Sequence, residues 1–283
     1  MQVKDLPHIQ ALDAENTCAD ARNPVFLQLA LANEPHACTV VEEADSVSGF
    51  CFTAETESVG ALTLLHLPAN GRDRAMALIR EVAEALASRC HCCLTHAHSE
   101  AYEQSALLLQ AGFHPVEPQY VLRAPQVRAD HVAQHSDVPQ QVVWSDVWGV
   151  SPQLKAAQQA GIGTNVTVTG AAGICGVALV EFTARRYTGG KTAAFVGTGG
   201  VVRSLGAGPL RAVLAAAQTI AREGGRHQLF ITLNTFYQRE MTALLADGWC
   251  IIRSAQRFVL GTTLSRYRQL QMQPAVDLGY WQL

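Results

Sequence analysis

Two segments of the chain carry the same order of apolar and polar positions. The segments HSEAYEQSALLLQAGF (98–113) and NTFYQREMTALLADGW (234–249) each begin with a polar residue after an apolar run and end in glycine and an aromatic residue. Between these ends the apolar spacing is helical, and a glycine directly after a helix suits the left-handed conformation that ends many helices. The pattern therefore predicts that Gly112 and Gly248 close two equivalent helices.

Matching elements lie upstream of both helices. The runs CCLTHAH (92–98) and QLFITLN (228–234) predict buried or half-buried strands, and each follows a long helix with an apolar stripe. The stripe residues are Ala75, Leu78, Ile79, Val82 and Leu86 in the first helix and Leu210, Val213, Leu214, Ala217 and Ile220 in the second. Corresponding positions lie 135 to 138 residues apart throughout. Such a constant offset predicts two copies of one fold.

The two copies are predicted to be contiguous domains. The first covers 1–123, and a polar stretch without clear periodicity at 124–141 is the predicted linker. The second covers 142–283, including a C-terminal tail. Early hairpins followed by strand, helix, strand and helix give the α/β (α+β) class, with a mixed twisted sheet flanked by helices in each copy.

Composition narrows the function classes. The chain has 283 residues, a formal net charge of -3 and 16% charged residues, against about 25% in typical globular proteins. This balance argues against a nucleic-acid partner, and no apolar run is long enough for a membrane span. The eight cysteines are irregularly spaced, and the start lacks a signal-peptide pattern, so we expect a cytoplasmic protein with reduced thiols.

A glycine-containing loop opens the second long helix. The run Arg203–Gly208 stands between a predicted strand and Pro209, a residue well suited to a first helical turn. Unpaired amides at a helix start bind anions, and glycine lets the backbone approach a phosphate closely. The alternative is a glycine-containing turn between strand and helix that binds no ligand, since such a turn could contain the same residues. The dinucleotide motif G-x-G-x-x-G fails, because Val202 follows Gly199 at the third position, and no Walker Gly-Lys-Ser/Thr occurs there.

In its context this loop resembles the R/Q-x-x-G-x-G/A signature of the GNAT-type N-acetyltransferases. The strand that ends in Asn234 and the helix that ends in Gly248-Trp249 also match that family. The resemblance covers most of both copies and implies a tandem GNAT protein, similar in arrangement to mycothiol synthase. It implies acetyl-CoA as the acyl donor. The implied donor-binding residues are Thr198, Val201, Arg203, Ser204, Leu205, Gly206, Ala207, Gly208 and Asn234.

The first copy departs from the signature. Its equivalent loop, HLPANGRDRAM (66–76), has Gly71 as its single glycine and lacks the expected arginine. Arg72 and Arg74 remain as cations that would meet an anion. Because a fold alone does not confer a site, we expect this copy to be a degenerate scaffold or substrate wall.

The resemblance also implies direct acetyl transfer to an amine. The family's usual acid is a tyrosine four residues before the helix-ending glycine, but Leu244 and Leu108 stand there. Tyr237 is a substitute acid unless it only packs, and Glu181 is the candidate base unless it lies on a solvated face. The missing tyrosine leaves a second hypothesis open, a catalytically inactive CoA-binding or regulatory module.

Three further segments have distinctive residues: a glycine run, a cysteine and histidine run, and the C-terminal tail. The glycines in GTGG (197–200) indicate either a closely approaching pantetheine or a β-bulge. Cys90, Cys92, His96 and His98 have zinc-ligand chemistry, but they lie along one strand line, so no metal is predicted. The tail segment AVDLGYWQL (275–283) is expected to add a strand to the other half, to pack between the halves, or to be disordered.

These expectations combine into one functional prediction. It is acetyl-CoA-dependent N-acetylation of a small-molecule amine or a peptide N-terminus, with no nucleic-acid or membrane partner. The sequence does not distinguish a monomer from a homodimer.

Overall fold

The structure is a computed structural model, and it describes most of the chain. The described residues are 2–15, 38–44, 46–55, 59–68, 71–125, 163–170, 173–182, 193–202, 206–261, 267 and 275–279. Of the predicted linker, 126–141 lies outside them. Among the helices of these ranges, none is both long and apolar enough to cross a membrane.

The chain forms two compact units, and neither is one contiguous stretch. Unit 1 comprises Met1–Pro118, Ala255–Gln271 and Trp281–Leu283, and unit 2 comprises Gln119–Ser254 and Met272–Tyr280. The elements of unit 1 are a 3-10 turn (Val3–Asp5), α1 (Leu6–Glu15), β1 (Cys38–Glu43), β2 (Ser46–Glu55), β3 (Val59–His66), α2 (Arg72–Ala87), β4 (Cys92–His98) and α3 (Tyr102–Gln110). Strands β5 (His114–Arg123) and β10 (Cys250–Leu260) each have one part in either unit.

The elements of unit 2 follow the same order. They are β6 (Gly163–Gly170), β7 (Gly173–Glu181), β8 (Ala193–Val202), α4 (Ala207–Glu223), β9 (Gln228–Asn234), α5 (Gln238–Ala246) and β11 (Ala275–Gly279). Equivalent elements recur at a nearly constant distance along the chain: β4 and β9 begin 136 residues apart, as do α3 and α5. Gly112 and Gly248 have φ angles of 89° and 86°, so both adopt the predicted left-handed conformation. The predicted repeat is confirmed.

In unit 1 the strands are ordered β1, β2, β3, β4 and β10. The pairs β1–β2 and β2–β3 are antiparallel, β3–β4 is parallel, and Ala255–Leu260 of β10 runs antiparallel to β4. Helix α2 packs its predicted stripe against this sheet, with Ile79 and Leu86 fully buried. Burying a side chain of this size stabilises the fold by about 1.5–3 kcal/mol.

In unit 2 the strands are ordered β5, β9, β8, β7 and β6. Helix α4 covers one face of this sheet, and Leu210, Val213 and Leu214 join the core there. The parallel pairing of β8 with β9 covers only Ala193–Phe195 opposite Gln228–Phe230, although both strands continue further. The opening beyond Phe195 and Phe230 is called the wedge below.

The last strand of each copy completes the other copy's sheet. Gln119–Arg123 pairs with β9 of the second copy, and Ala255–Leu260 pairs with β4 of the first. This differs from the contiguous halves 1–123 and 142–283 that the sequence predicts. The physical reason is that β5 and β10 have similar local burial patterns, whereas their pairing partners are set by contacts distant along the chain.

Candidate functional site

The Gly-containing loop enters a helix at the predicted place. Helix α4 begins at Ala207, with Gly206 as its N-cap and Pro209 in its first turn. Arg203, Ser204 and Leu205 lie outside the described residues. Gly206 has no side chain with which to cap the helix, and the first turn of α4 contains no acidic residue. This helix end therefore presents the positive end of its dipole without a negative side chain in its own first turn.

The two described glycines of this loop differ in what the fold requires of them. Gly206 is buried and has φ 75° and ψ -155°, a conformation that is almost restricted to glycine. Gly208 is exposed, is absent from the positive-φ residues, and would have no described atom within 4 Å of an added Cβ. The described fold therefore explains Gly206 but gives no steric reason for Gly208. A ligand that comes close to the backbone would explain a glycine at this position.

Arg239 adds a cation that the sequence analysis missed. This residue lies in the first turn of α5, and a Cβ atom on Gly206 would be 2.8 Å from its Nη2. The guanidinium thus lies against the start of α4, where it adds to the positive field of the helix end. No local motif marks Arg239, because 32 residues separate it from Ala207 along the chain.

The equivalent helix start in unit 1 has a different charge pattern. Gly71 is its N-cap, with φ 114°, but Asp73 stands in the first turn of α2. Nη1 of Arg74 lies 2.8 Å from Oε1 of Glu43, so this predicted anion ligand is already in an ion pair. Two carboxylates near the helix start disfavour an anion there, and the scaffold role of the first copy stays a prediction.

Asn234 and Thr232 place polar atoms on one face of β9. Oδ1 of Asn234 accepts a hydrogen bond of 2.7 Å from the backbone N–H of Phe236. Nδ2 of Asn234 and Oγ1 of Thr232 are buried and have no hydrogen-bond partner among the described residues. A buried donor without a partner costs about 1–3 kcal/mol. A ligand carbonyl or amide that bonds Nδ2 would remove this cost.

The glycines of β8 have separate explanations. The pairing of β7 with β8 shifts register between Leu179 and Val180, which leaves Gly197 as the extra residue of a bulge. The carboxylate of Glu181 fills the space that a side chain on Gly197 would take. At Gly199 an added Cβ would lie 2.9 Å from Cα of Ala178. At these two positions the protein itself is the close neighbour, as the bulge interpretation proposed.

The candidate catalytic residues are both buried. Glu181 is 6% exposed at the end of β7, with its carboxylate over the β8 bulge. Tyr237 is 2% exposed, joins the core that contains α4, and contacts the Phe236 ring edge-to-face at 5.6 Å between centroids. Leu244, at the position where the sequence resemblance implies a tyrosine, is buried in the same core. Glu181 thus lies beside the strand expected to bind the donor, and Tyr237 belongs to the core that also contains Val201 of that strand.

The C-terminal strand β11 lies in the wedge. It pairs antiparallel with β8, with Ala275 opposite Val202 and Gly279 opposite Thr198. The expected donor residues Thr198 and Val201 therefore have their backbones in this ladder, while the Val201 side chain belongs to the core. The tail adds a strand, as one alternative predicted, but to the sheet of its own copy.

The cysteine and histidine run of β4 is dispersed among buried groups. Cys92 packs with Leu94 and Val259, and the rings of His96 and His98 lie 6.1 Å apart in an edge-to-face arrangement. Within the described ranges, no three potential ligands come close enough to hold a metal ion.

Unit 1 contains a buried polar contact between two side chains that the sequence did not predict. Nη1 of Arg257, a residue only 3% exposed, donates to the hydroxyl of Tyr267 at 3.3 Å. Burial raises the pKa of Tyr267, although the nearby Arg257 charge opposes that rise. The contact joins Tyr267 to β10.

Solved structures share this architecture. A candidate acetyltransferase from Pyrococcus horikoshii matches with a TM-score of 0.66 and 12% identity, over 92% of this chain and 87% of its own. A tandem GNAT protein from the clavulanic acid biosynthesis pathway, solved without acetyl-CoA, matches with 0.60 and 16%, over 91% and 94%. A GCN5-related N-acetyltransferase from Sphaerobacter thermophilus matches with 0.57 and 13%, over 92% and 96%.

No protein-family model and no curated protein matches the sequence. At these identities the likeness concerns the fold, and the chain has the tandem GNAT fold with a mixed α/β architecture. The predicted fold class is confirmed.

Proposed function

We propose that this chain is an acetyl-CoA-dependent N-acetyltransferase and that unit 2 binds the donor. The observation that carries the proposal is the start of α4. There an exposed glycine without steric need, a helix end without acidic residues in its first turn, and the Arg239 guanidinium come together. This combination fits a diphosphate, since helix N-termini bind anions and arginine strengthens such contacts.

The donor's remaining contacts are proposed along β8 and β9. Arg203, Ser204 and Leu205 complete the loop in the family signature, together with Gly206, Ala207 and Gly208. Nδ2 of Asn234 supplies a buried hydrogen-bond donor. The backbone of Thr198–Val201 pairs with β11 in this structure, and an extended amide chain in place of β11 would use the same strand-like hydrogen bonds. Both kinds of group suit an acyl-CoA.

Acetyl-CoA supplies a thioester whose acetyl carbon bonds to the amine nitrogen as its sulfur departs. In the proposed mechanism Glu181 takes the proton that the amine loses, directly or through water. Its position over the Gly197 bulge puts the carboxylate next to the donor strand. Backbone N–H groups of β8 are proposed to hold the carbonyl oxygen. Tyr237 or water returns a proton to the sulfur. The acceptor is proposed to be a small-molecule amine or a peptide N-terminus.

Gly208 permits a clean test of donor binding. Gly208→Glu adds a negative charge at a position with free space, in a first turn where acidic residues favour the helix. Gly208→Gln adds nearly the same volume without charge. Titration calorimetry with acetyl-CoA should give at least about tenfold weaker binding for the Glu variant than for the Gln variant, equivalent to about 1.4 kcal/mol.

Two results would contradict the proposal. One is the absence of acetyl-CoA binding by the wild-type chain, and the other is equal affinity of the Glu and Gln variants. Turnover is then measured as CoA release over a panel of small amines and peptides, with reactions lacking the amine as the blank. Release that depends on an amine and falls on Glu181→Gln supports the transferase function.

A further inference from the structure

The wedge in unit 2 is an edge-strand site. Strand β8 pairs with β7 along one of its edges from Phe195 to Val201. Along the other edge it pairs with β9 only as far as Phe195. Beyond that residue the second edge presents backbone N–H and C=O groups that need partners.

The C-terminal segment supplies those partners. Because β7 occupies the first edge, β11 pairs with β8 on the edge that faces β9, and it also lies against β9. Its five residues cover β8 from Thr198 to Val202. The segment thus occupies the length of β8 that the proposed donor would use.

Two of the β8 residues opposite β11 are glycines. Leu278 and Asp277 lie opposite Gly199 and Gly200, which have no side chains to form cross-strand pairs. Such pairs contribute about 0.2–1 kcal/mol each where they exist. Aspartate is moreover depleted in strands. Because β11 is only five residues long, a ligand that forms similar backbone hydrogen bonds can displace it.

We infer that Ala275–Gly279 is an intramolecular competitor of the acyl donor. This inference rests on the proposed function, because the donor and β11 need the same edge of β8. With the strand in the wedge the donor site is closed, and with the strand released it is open. The apparent dissociation constant for acetyl-CoA then equals the intrinsic constant divided by the open fraction.

Removing the competitor is the direct test. A chain that ends at Gln271 lacks β11 but keeps Tyr267, and it should bind acetyl-CoA about tenfold more tightly if the strand closes nine molecules in ten. A synthetic peptide of residues 274–283 should then compete with acetyl-CoA for the truncated protein. Circular dichroism of both proteins verifies that they are folded.

A reversible crosslink tests the same inference in the full-length chain. Gly200→Cys with Asp277→Cys joins register partners whose Cα spacing in an antiparallel pair suits a disulfide. The exposed Cys250 is changed to Ser in the parent. The oxidised protein should bind acetyl-CoA at least tenfold more weakly than the same protein after reduction. Gly200→Cys with native Asp277, oxidised and reduced in the same way, is the control for the substitution itself.

The possible results separate the two proposals. Equal affinity of the full-length and truncated chains, or undiminished binding by the crosslinked protein, overturns the inference and leaves the transferase proposal in place. A crosslink that does not form contradicts the register and therefore the inference. Folded proteins that bind no acetyl-CoA with or without the strand overturn the transferase proposal itself.

Discussion

The two described glycines before and within the start of α4 should respond oppositely to substitution by alanine. Gly206 has φ 75° and ψ -155°, where a non-glycine residue costs about 1–3 kcal/mol. A Cβ there would also crowd Nη2 of Arg239 at 2.8 Å, but the end of that flexible side chain can move. We therefore expect Gly206→Ala to lower the free energy of unfolding by about 1–3 kcal/mol.

Gly208→Ala should have the opposite sign. Its added methyl group meets no described atom within 4 Å, and its backbone is free of positive-φ strain. Glycine within a helix is about 0.5–1 kcal/mol less favourable than alanine. We expect stabilisation up to that amount, because the position lies in the first turn.

Calorimetric scans of the two variants decide the matter. For chains of 150–250 residues, 1 kcal/mol changes the Tm by about 2–4 °C. Gly206→Ala should lower the Tm of the affected transition by several degrees, whereas Gly208→Ala should leave it equal or raise it. A comparable loss in both variants would refute the assigned geometry of the loop, and so would a loss confined to Gly208→Ala.

Other predictions concern the core, the thiols and the missed cation. Leu244→Ala should lose about 2–5 kcal/mol in urea unfolding, because the side chain is 1% exposed, whereas the neighbouring Leu245→Ala, at 42%, should lose less than about 0.5; equal losses would contradict the orientation of α5. Among the seven described cysteines, peptide mapping after brief iodoacetamide treatment should find Cys250 modified first, since the other six are buried. Arg239→Ala should weaken acetyl-CoA binding severalfold in titrations while Arg74→Ala, near the equivalent helix start, does not; the reverse order would place the donor in unit 1.

Local patterns in the sequence predicted the repeated elements well. Proline and glycine around position 208 predicted where α4 begins, and the glycines at 112 and 248 predicted two helix ends, because the causes of these features lie within a few residues. The apolar stripes of α2 and α4 are buried as expected, except that Ile220 is only partly buried. Physical effects of short range were sufficient in each case.

Features that depend on distant parts of the chain could not be predicted. The local burial patterns of β5 and β10 are similar, so the pattern alone does not indicate which sheet each strand joins. Arg239 reaches Gly206 only because α5 is oriented toward α4. The position of β11 depends on where β8 and β9 separate, a tertiary property that the alternation in AVDLG does not encode.

The shared last strands limit how this protein can be divided. If the gene were split between its two copies, each product would keep a strand suited to the other and lack a partner for β4 or β9. Neither product would have a complete sheet, and each would expose an unpaired strand edge that is prone to self-association. Co-expression of both fragments in one cell should therefore give more soluble protein than expression of either fragment alone. For the same reason, a single copy transferred into another gene should not form a stable domain.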